Sequence, residues 1–159
     1  GLYADINTDQ GRIMVELDMK NTPETVASFL SMFVAPAGQR GGQRGGAQAP
    51  PIGEFTNIDK NAAAQAEIKD DQYKDRAVSK LPNEKNLGIY HDQVGVLGMM
   101  SPTKFYITTD EISDYNNKYT AIGKVIAGMD VVKMLSKGST ITRVSITRVG
   151  DNANMFGRR

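Results

Sequence analysis

What most constrains the fold of this chain is a succession of short strand-like runs punctuated by turns. "INTDQGRIMVELD" reads as a β-hairpin, with Asp9, Gln10 and Gly11 at the turn. Ile13, Val15 and Leu17 alternate there with Met14, Glu16 and Asp18, so one face is apolar. "GVLGMM", "KFYITT" and "YTAIGKVI" read as three further strands. "STITRVSITRVG" alternates imperfectly, as a last strand carrying a bulge would. Many short strands in succession suit a sheet closed on itself, which has no open edge. With only two clear amphipathic helices between them, the pattern predicts a mainly β chain forming a closed barrel capped by two helices.

The first of those helices is "NTPETVASFLSMF". Thr22 stands at its cap, Pro23 at its first position, and Val26, Phe29, Leu30 and Phe33 share one face. The second is "AGMDVVKMLSKG", with Met129, Val132 and Leu135 on one side and Gly138 as its stop. Two segments fit neither class. Residues 38–53 are rich in Gly, Gln and Pro and repeat Gln-Arg-Gly-Gly twice, which predicts a flexible loop. Residues 61–80 are rich in Ala and charge, which predicts a solvated helix with a weak apolar face.

All 159 residues are expected to form one domain, long enough for a sizeable core. A net charge of +1 gives no electrostatic case for nucleic acid. The two Arg-Gly-Gly units have no aromatic residue among them and are read as a connector. No apolar run is long enough to span a bilayer. The chain has no cysteine and one histidine, His91. That removes disulfides and thiol nucleophiles, and leaves no set for a structural zinc. No metal, cofactor or nucleophilic triad is expected, and His91 is read as a surface or turn-supporting residue. The first residue is Gly1 rather than Met, which reads as a trimmed product.

Three stretches in order resemble the cyclophilins, the prolyl isomerases. "GRIMVELDMKNTPETVASFLSM" resembles their opening strands and first helix. "NLGIYHDQVGVLGMM" resembles their His-Asp-x-x-Gly-Val-Leu-Ser-Met-Ala stretch. "KFYITTDEISDYNNKYTAIGKVIAGMDVV" resembles their Gln-Phe-Phe-Ile-Thr strand, the loop after it and their Phe-Gly-x-Val-x-x-Gly-Met-Asp-Val-Val segment. The ends, "GLYADINT" and "ITRVSITRVGDNANMF", are most similar to cyclophilins of Bacteroidota, which are often exported. The resemblance therefore implies a cyclophilin-like barrel in the periplasm or cell envelope, acting on proline-containing segments of exported proteins as a peptidyl-prolyl isomerase or folding helper.

Twisting a prolyl amide crosses a barrier of roughly 20 kcal/mol and needs neither metal nor nucleophile. An apolar seat for the ring and a hydrogen-bond donor aimed at the prolyl nitrogen suffice. In the family that donor is the arginine of a Phe-His-Arg run on the third strand, followed by a Gly-Phe-Met-x-Gln-Gly-Gly-Asp segment. Neither run appears by letter, so no catalytic residue is assigned. By resemblance the substrate-binding residues are Met99, Met100 and Ser101 beside the peptide backbone, Lys104 at a glutamine position, and Tyr106 as floor of the proline pocket. Tyr115 and Tyr119 are its walls. The alternative reading is a catalytically impaired scaffold subunit of a larger envelope assembly. A barrel lacking two strands would leave unpaired edges. "FVAPAG" or Ile52–Phe55 is therefore expected to pair at the gap, unless a segment lies outside this sequence.

Overall fold

The computed structural model describes residues 1–34 and 50–149. Its strands are β1 (Leu2–Thr8), β2 (Gly11–Leu17), β3 (Gly53–Ile58), β4 (Ala63–Ile68), β5 (Val96–Ser101), β6 (Lys104–Thr108), β7 (Thr120–Ala127) and β8 (Thr140–Arg148). Its helices are α1 (Pro23–Phe33), α2 (Asp71–Lys74) and α3 (Met129–Met134), with a 3-10 turn at Ser113–Asn117. The strands pair antiparallel in the closed order β1-β2-β7-β5-β6-β4-β3-β8. Closure leaves no open sheet edge.

Alternation sorts the walls. Ile6, Ile13, Val15, Phe55, Ala64, Ala66, Ile68, Leu97, Met99, Phe105 and Ile107 point into one buried cluster. α1 adds Val26, Phe29 and Met32 to it, and Phe29 meets Phe105 edge-on at 5.8 Å between ring centres. Each such fully buried side chain contributes about 2 kcal/mol through apolar burial. α3 adds Val131 and Val132. It starts at Gly128, whose φ of +99° suits glycine. A Cβ there would also lie 2.5 Å from the Arg12 carbonyl oxygen. These are the two capping helices that the patterning predicts. Thr22 sits at the N-cap of α1, but its side chain makes no capping bond. Glu84 reaches in instead: Oε2 accepts from Glu24 N–H at 3.1 Å, and Oε1 from Thr25 N–H at 2.6 Å.

The expected helix over residues 61–80 is not there. Its first half is β4, held between β3 and β6. The alanines suited helix by propensity, yet Ala64 and Ala66 are needed as small inward-facing residues of a sheet paired on both sides. Pairing across the barrel outweighs a weak local preference. Only Asp71–Lys74 is helical, with the Asp70 side chain capping it by accepting from Gln72 N–H at 2.9 Å. The gap in the barrel is likewise filled. Ile52 is buried and β3 follows at once, so the expected loop ends at Pro51 rather than at residue 53. Pairing at Ile52–Phe55 thus occurs, as one limb of a β3–β4 hairpin. In "FVAPAG", Phe33 closes α1 and Val34 caps it; the rest, with the Gln-Arg-Gly-Gly repeat, lies outside the described residues.

Candidate functional site

Register aligns one row of residues across the outer wall of the barrel. Asn57 on β3 pairs with Gln65 on β4, Gln65 with Tyr106 on β6, and Tyr106 with Gly98 on β5. Their inward neighbours Phe105, Ile107 and Met99 belong to the core, so this row faces out. The 3-10 turn at Ser113–Asn117 and the segment before β5 fold over its Tyr106 end.

The result is a cluster of four rings. Tyr106 lies 5.2 Å from Tyr115 and 5.6 Å from Tyr119, and Tyr115 lies 4.9 Å from Tyr119. The His91 ring is 5.6 Å from Tyr106 and 5.7 Å from Tyr115. Tyr106 is 0% exposed and His91 is 1% exposed. Of the two readings expected for His91, the surface one fails, and the turn-supporting one fits, because it bonds Asn116 of the 3-10 turn. Tyr106 lies 15 positions further along the chain and Asn116 lies 25, and only folding buries His91 between them.

Its hydrogen bonds fix its protonation. Asn116 Oδ1 accepts the His91 backbone N–H at 2.7 Å, which identifies that atom as the oxygen. Nδ1 lies 2.7 Å from the same oxygen and must carry the proton. Nε2 is then an acceptor, and the Tyr106 hydroxyl donates to it at 2.5 Å. Burial holds the His91 pKa below its ordinary value, against the opposing pull of Asn116 and Asp92. Burial raises the Tyr106 phenol, and Tyr115 and Tyr119 add to this, so it remains a neutral donor. Burial also raises Tyr115, as does Tyr119, while Gln65 opposes.

Gly98 makes room for this arrangement. A Cβ at that position would stand 2.0 Å from Tyr106 Oη and 2.3 Å from its Cζ. The family stretch quoted above has serine there and phenylalanine at the Tyr106 position. The added hydroxyl and the missing side chain are complementary.

Placement of the other expected residues is mixed. Met99 points into the core and offers no side chain. Met99–Ser101 is not a free edge, because β5 pairs with both β6 and β7. β7 pairing ends at Met99, however, and the register with β6 shifts between Met99 and Ser101. Met100 and Ser101 are half-buried, and Met100 lines a cleft of about 280 Å³ shared with Tyr119. Lys104 is exposed. Tyr106 is covered by Tyr115 and Tyr119, so it is not an open pocket floor; what solvent meets is the half-buried pair Tyr115 and Tyr119. Among the described residues no group of three or more His, Cys, Asp or Glu converges to hold a metal.

Four contributors were missed: Asn57, Gln65, Gly98 and Asn116. Strand position supplies the signal. On the third strand Phe55-Thr56-Asn57 stands where Phe-His-Arg is expected, and the turn and fourth strand over Asn61–Glu67 stand in the place of Gly-Phe-Met-x-Gln-Gly-Gly, with Gln65 at the glutamine. The segments are substituted, not deleted.

Comparison with known proteins follows the same line. The family model described as cyclophilin type peptidyl-prolyl cis-trans isomerase/CLD matches residues 3–151. The peptidyl-prolyl cis-trans isomerase CYP21-4 of Arabidopsis thaliana is 29% identical over 148 residues, which is 87% of this chain and 57% of that protein. The chain thus spans little more than half the length of that relative. A cyclophilin-type isomerase of Cryptosporidium parvum, crystallised in the presence of the dipeptide Ala-Pro, superposes with a TM-score of 0.70 at 18% identity. That match covers 92% of this chain and 99% of the other. A second crystal structure of the same protein gives 0.69 at 18% identity, over 92% and 97% of the two chains.

Proposed function

The chain belongs to the cyclophilin-type peptidyl-prolyl isomerase family, and from that premise we propose that it binds prolyl segments of extended polypeptides as a folding helper, turning them over slowly. The observation that carries this reading is the row Asn57–Gln65–Tyr106 with Tyr115 and Tyr119 beside it. It offers an aromatic surface next to two side-chain amides. Proline rings dock on tyrosine faces without covalent chemistry, and aromatic-lined surfaces are a recurrent way of holding prolyl segments.

The ring rests on Tyr115 and Tyr119, because Tyr106 is fully covered. Gln65 and the backbone near Met100 and Ser101 are placed to hydrogen-bond the extended peptide. Lys104 and Met99 take no part. Asn57 occupies the position of the donor that would stabilise the twisted amide. A neutral amide is a weaker donor than a guanidinium, and Asn57 is exposed to competing water. Binding requires only shape and desolvation, whereas acceleration requires tighter contacts in the twisted state. The two therefore separate here. Loss of a preorganised donor costs about 10²–10³ in rate. Likeness of the ends to exported Bacteroidota cyclophilins supports placement in the periplasm or cell envelope.

Amide shifts in labelled protein titrated with an Ala-Pro peptide test the binding, and a protease-coupled proline-peptide assay tests the rate. Shifts are expected at Gln65, Met100, Tyr115 and Tyr119, with millimolar to high-micromolar affinity, roughly 4–6 kcal/mol. Little acceleration over the uncatalysed rate is expected. Turnover like that of an arginine-bearing member would overturn the kinetic half. Shifts that miss these residues altogether would leave the scaffold role as the better reading.

A further inference from the structure

We propose that a basic groove adjoining Asn57 receives acidic residues flanking the prolyl segment, so that this chain selects prolines with Asp or Glu a few residues away. The inference rests on the prolyl-segment reading above and adds a substrate class to it. The groove has a volume of about 590 Å³ and lies between the β3–β4 turn and the end of α3. Asn57, Ile58, Lys60, Lys133, Met134 and Lys137 line it, with Leu135 and Ser136.

Its charge has one sign. Lys60, Lys133 and Lys137 are all exposed, and no carboxylate is among the lining residues. Among the described residues the ion pairs are Arg12–Asp5 and Lys69–Glu54, and none involves these three lysines. Asp59 is the nearest acid in sequence, but its side chain is turned to the β3–β4 turn, where Oδ1 accepts from Asn61 N–H at 2.9 Å. Asp130 lies one turn before Lys133 and does not line the groove. Met134 is 53% exposed and gives the groove an apolar patch for the stem of a Glu side chain.

Position links the groove to the prolyl site. Asn57 belongs to both, and it stands two strands from Tyr106 in the register. Adjacent strands lie about 4.8 Å apart, which puts Asn57 about 10 Å from Tyr106. An extended chain covers that in about three residues. A carboxylate roughly three to five residues from the proline therefore falls among the lysines. Exposed charge pairs are individually weak, and three together give about a tenfold gain at low salt.

The test uses peptides of equal length with one Ala-Pro core. Either side of the core carries Glu, Ala or Lys residues, and a fourth peptide carries Glu but no proline. Amide shifts and affinities are followed at about 10 mM and about 150 mM salt, where charges are screened over about 30 Å and about 8 Å. The Glu-flanked peptide is expected to bind about tenfold tighter than the Ala-flanked one at low salt. It should shift Lys60, Lys133, Met134 and Lys137, and lose most of its advantage at the higher salt. Changing Lys60, Lys133 and Lys137 together to Glu should transfer the preference to the Lys-flanked peptide and leave the Tyr115 shifts in place. Equal affinities for the Glu- and Ala-flanked peptides, with Tyr115 shifting in both, would overturn the groove and spare the prolyl site. If the proline-free Glu peptide binds as tightly and shifts only the groove, the groove holds acidic segments without regard to proline, and both the selection proposed here and the prolyl reading fall.

Discussion

Tyr106→Phe is the sharpest probe of the ring cluster. The change removes one oxygen and leaves the ring. His91 Nε2 then loses its donor at a site where both residues are at most 1% exposed. A neutral hydrogen bond contributes about 1 kcal/mol net, but an acceptor left buried and unpaired costs about 1–3 kcal/mol. Water does not repair the loss, because the vacated hydroxyl leaves less room than the roughly 30 Å³ a water occupies. Nor can the ring retreat, with Tyr115 and Tyr119 packed against it. A loss of about 2 kcal/mol is therefore expected, or about 4–8 °C in melting temperature for a domain of this size. Urea unfolding near neutral pH measures it through the midpoint at unchanged slope. A companion His91→Leu/Tyr106→Phe double variant should be less destabilised than the two single costs predict together, since it leaves no orphaned acceptor. A Tyr106→Phe cost below about 0.5 kcal/mol, or one that simply adds to that of His91→Leu, would refute the coupling.

Acid sensitivity follows from the same residue. The folded pKa of His91 lies below its ordinary value of 6.5, so both states are neutral above that pH and stability is at its plateau. As pH falls through 6.5 the unfolded chain takes the proton first, and stability declines until the folded pKa is passed. A His91→Gln variant, compared by urea midpoint over the same range, should lack this component of the decline. Glu84→Ala removes the distant cap of α1 and should cost about 1–2 kcal/mol in urea unfolding; a change within about 0.3 kcal/mol would mean that solvent satisfies Glu24 and Thr25 equally well. Asn57→Arg restores a guanidinium at the donor position and should raise the proline-peptide isomerisation rate at least about tenfold, and no gain would show that Asn57 does not face the twisting bond.

Much of the fold was legible from local chemistry. The β1–β2 hairpin follows from its alternation and its turn, α1 from Pro23 and its apolar stripe, and the closed barrel from many short strands with only two amphipathic helices between them. The resemblance singled out Tyr115 and Tyr119, and in the fold both rings pack against Tyr106. β4 was not legible, because alanine favours helix in isolation and only its two partner strands make Ala64 and Ala66 inward-facing. Nor was the donor position, because Asn57 carries no arginine to mark it and becomes visible only when β3 is seen beside β4. His91 and Tyr106 are ordinary residues until the register sets Tyr106 over Gly98 and the turn at Asn116 closes on the imidazole. Periodicity and turn chemistry act within a few residues, so the sequence alone determined the elements whose pattern is local, β1, β2, α1 and α3 among them, but not β4. Burial, tautomer and partner depend on atoms brought together from distant parts of the chain, and those only the closed barrel decided.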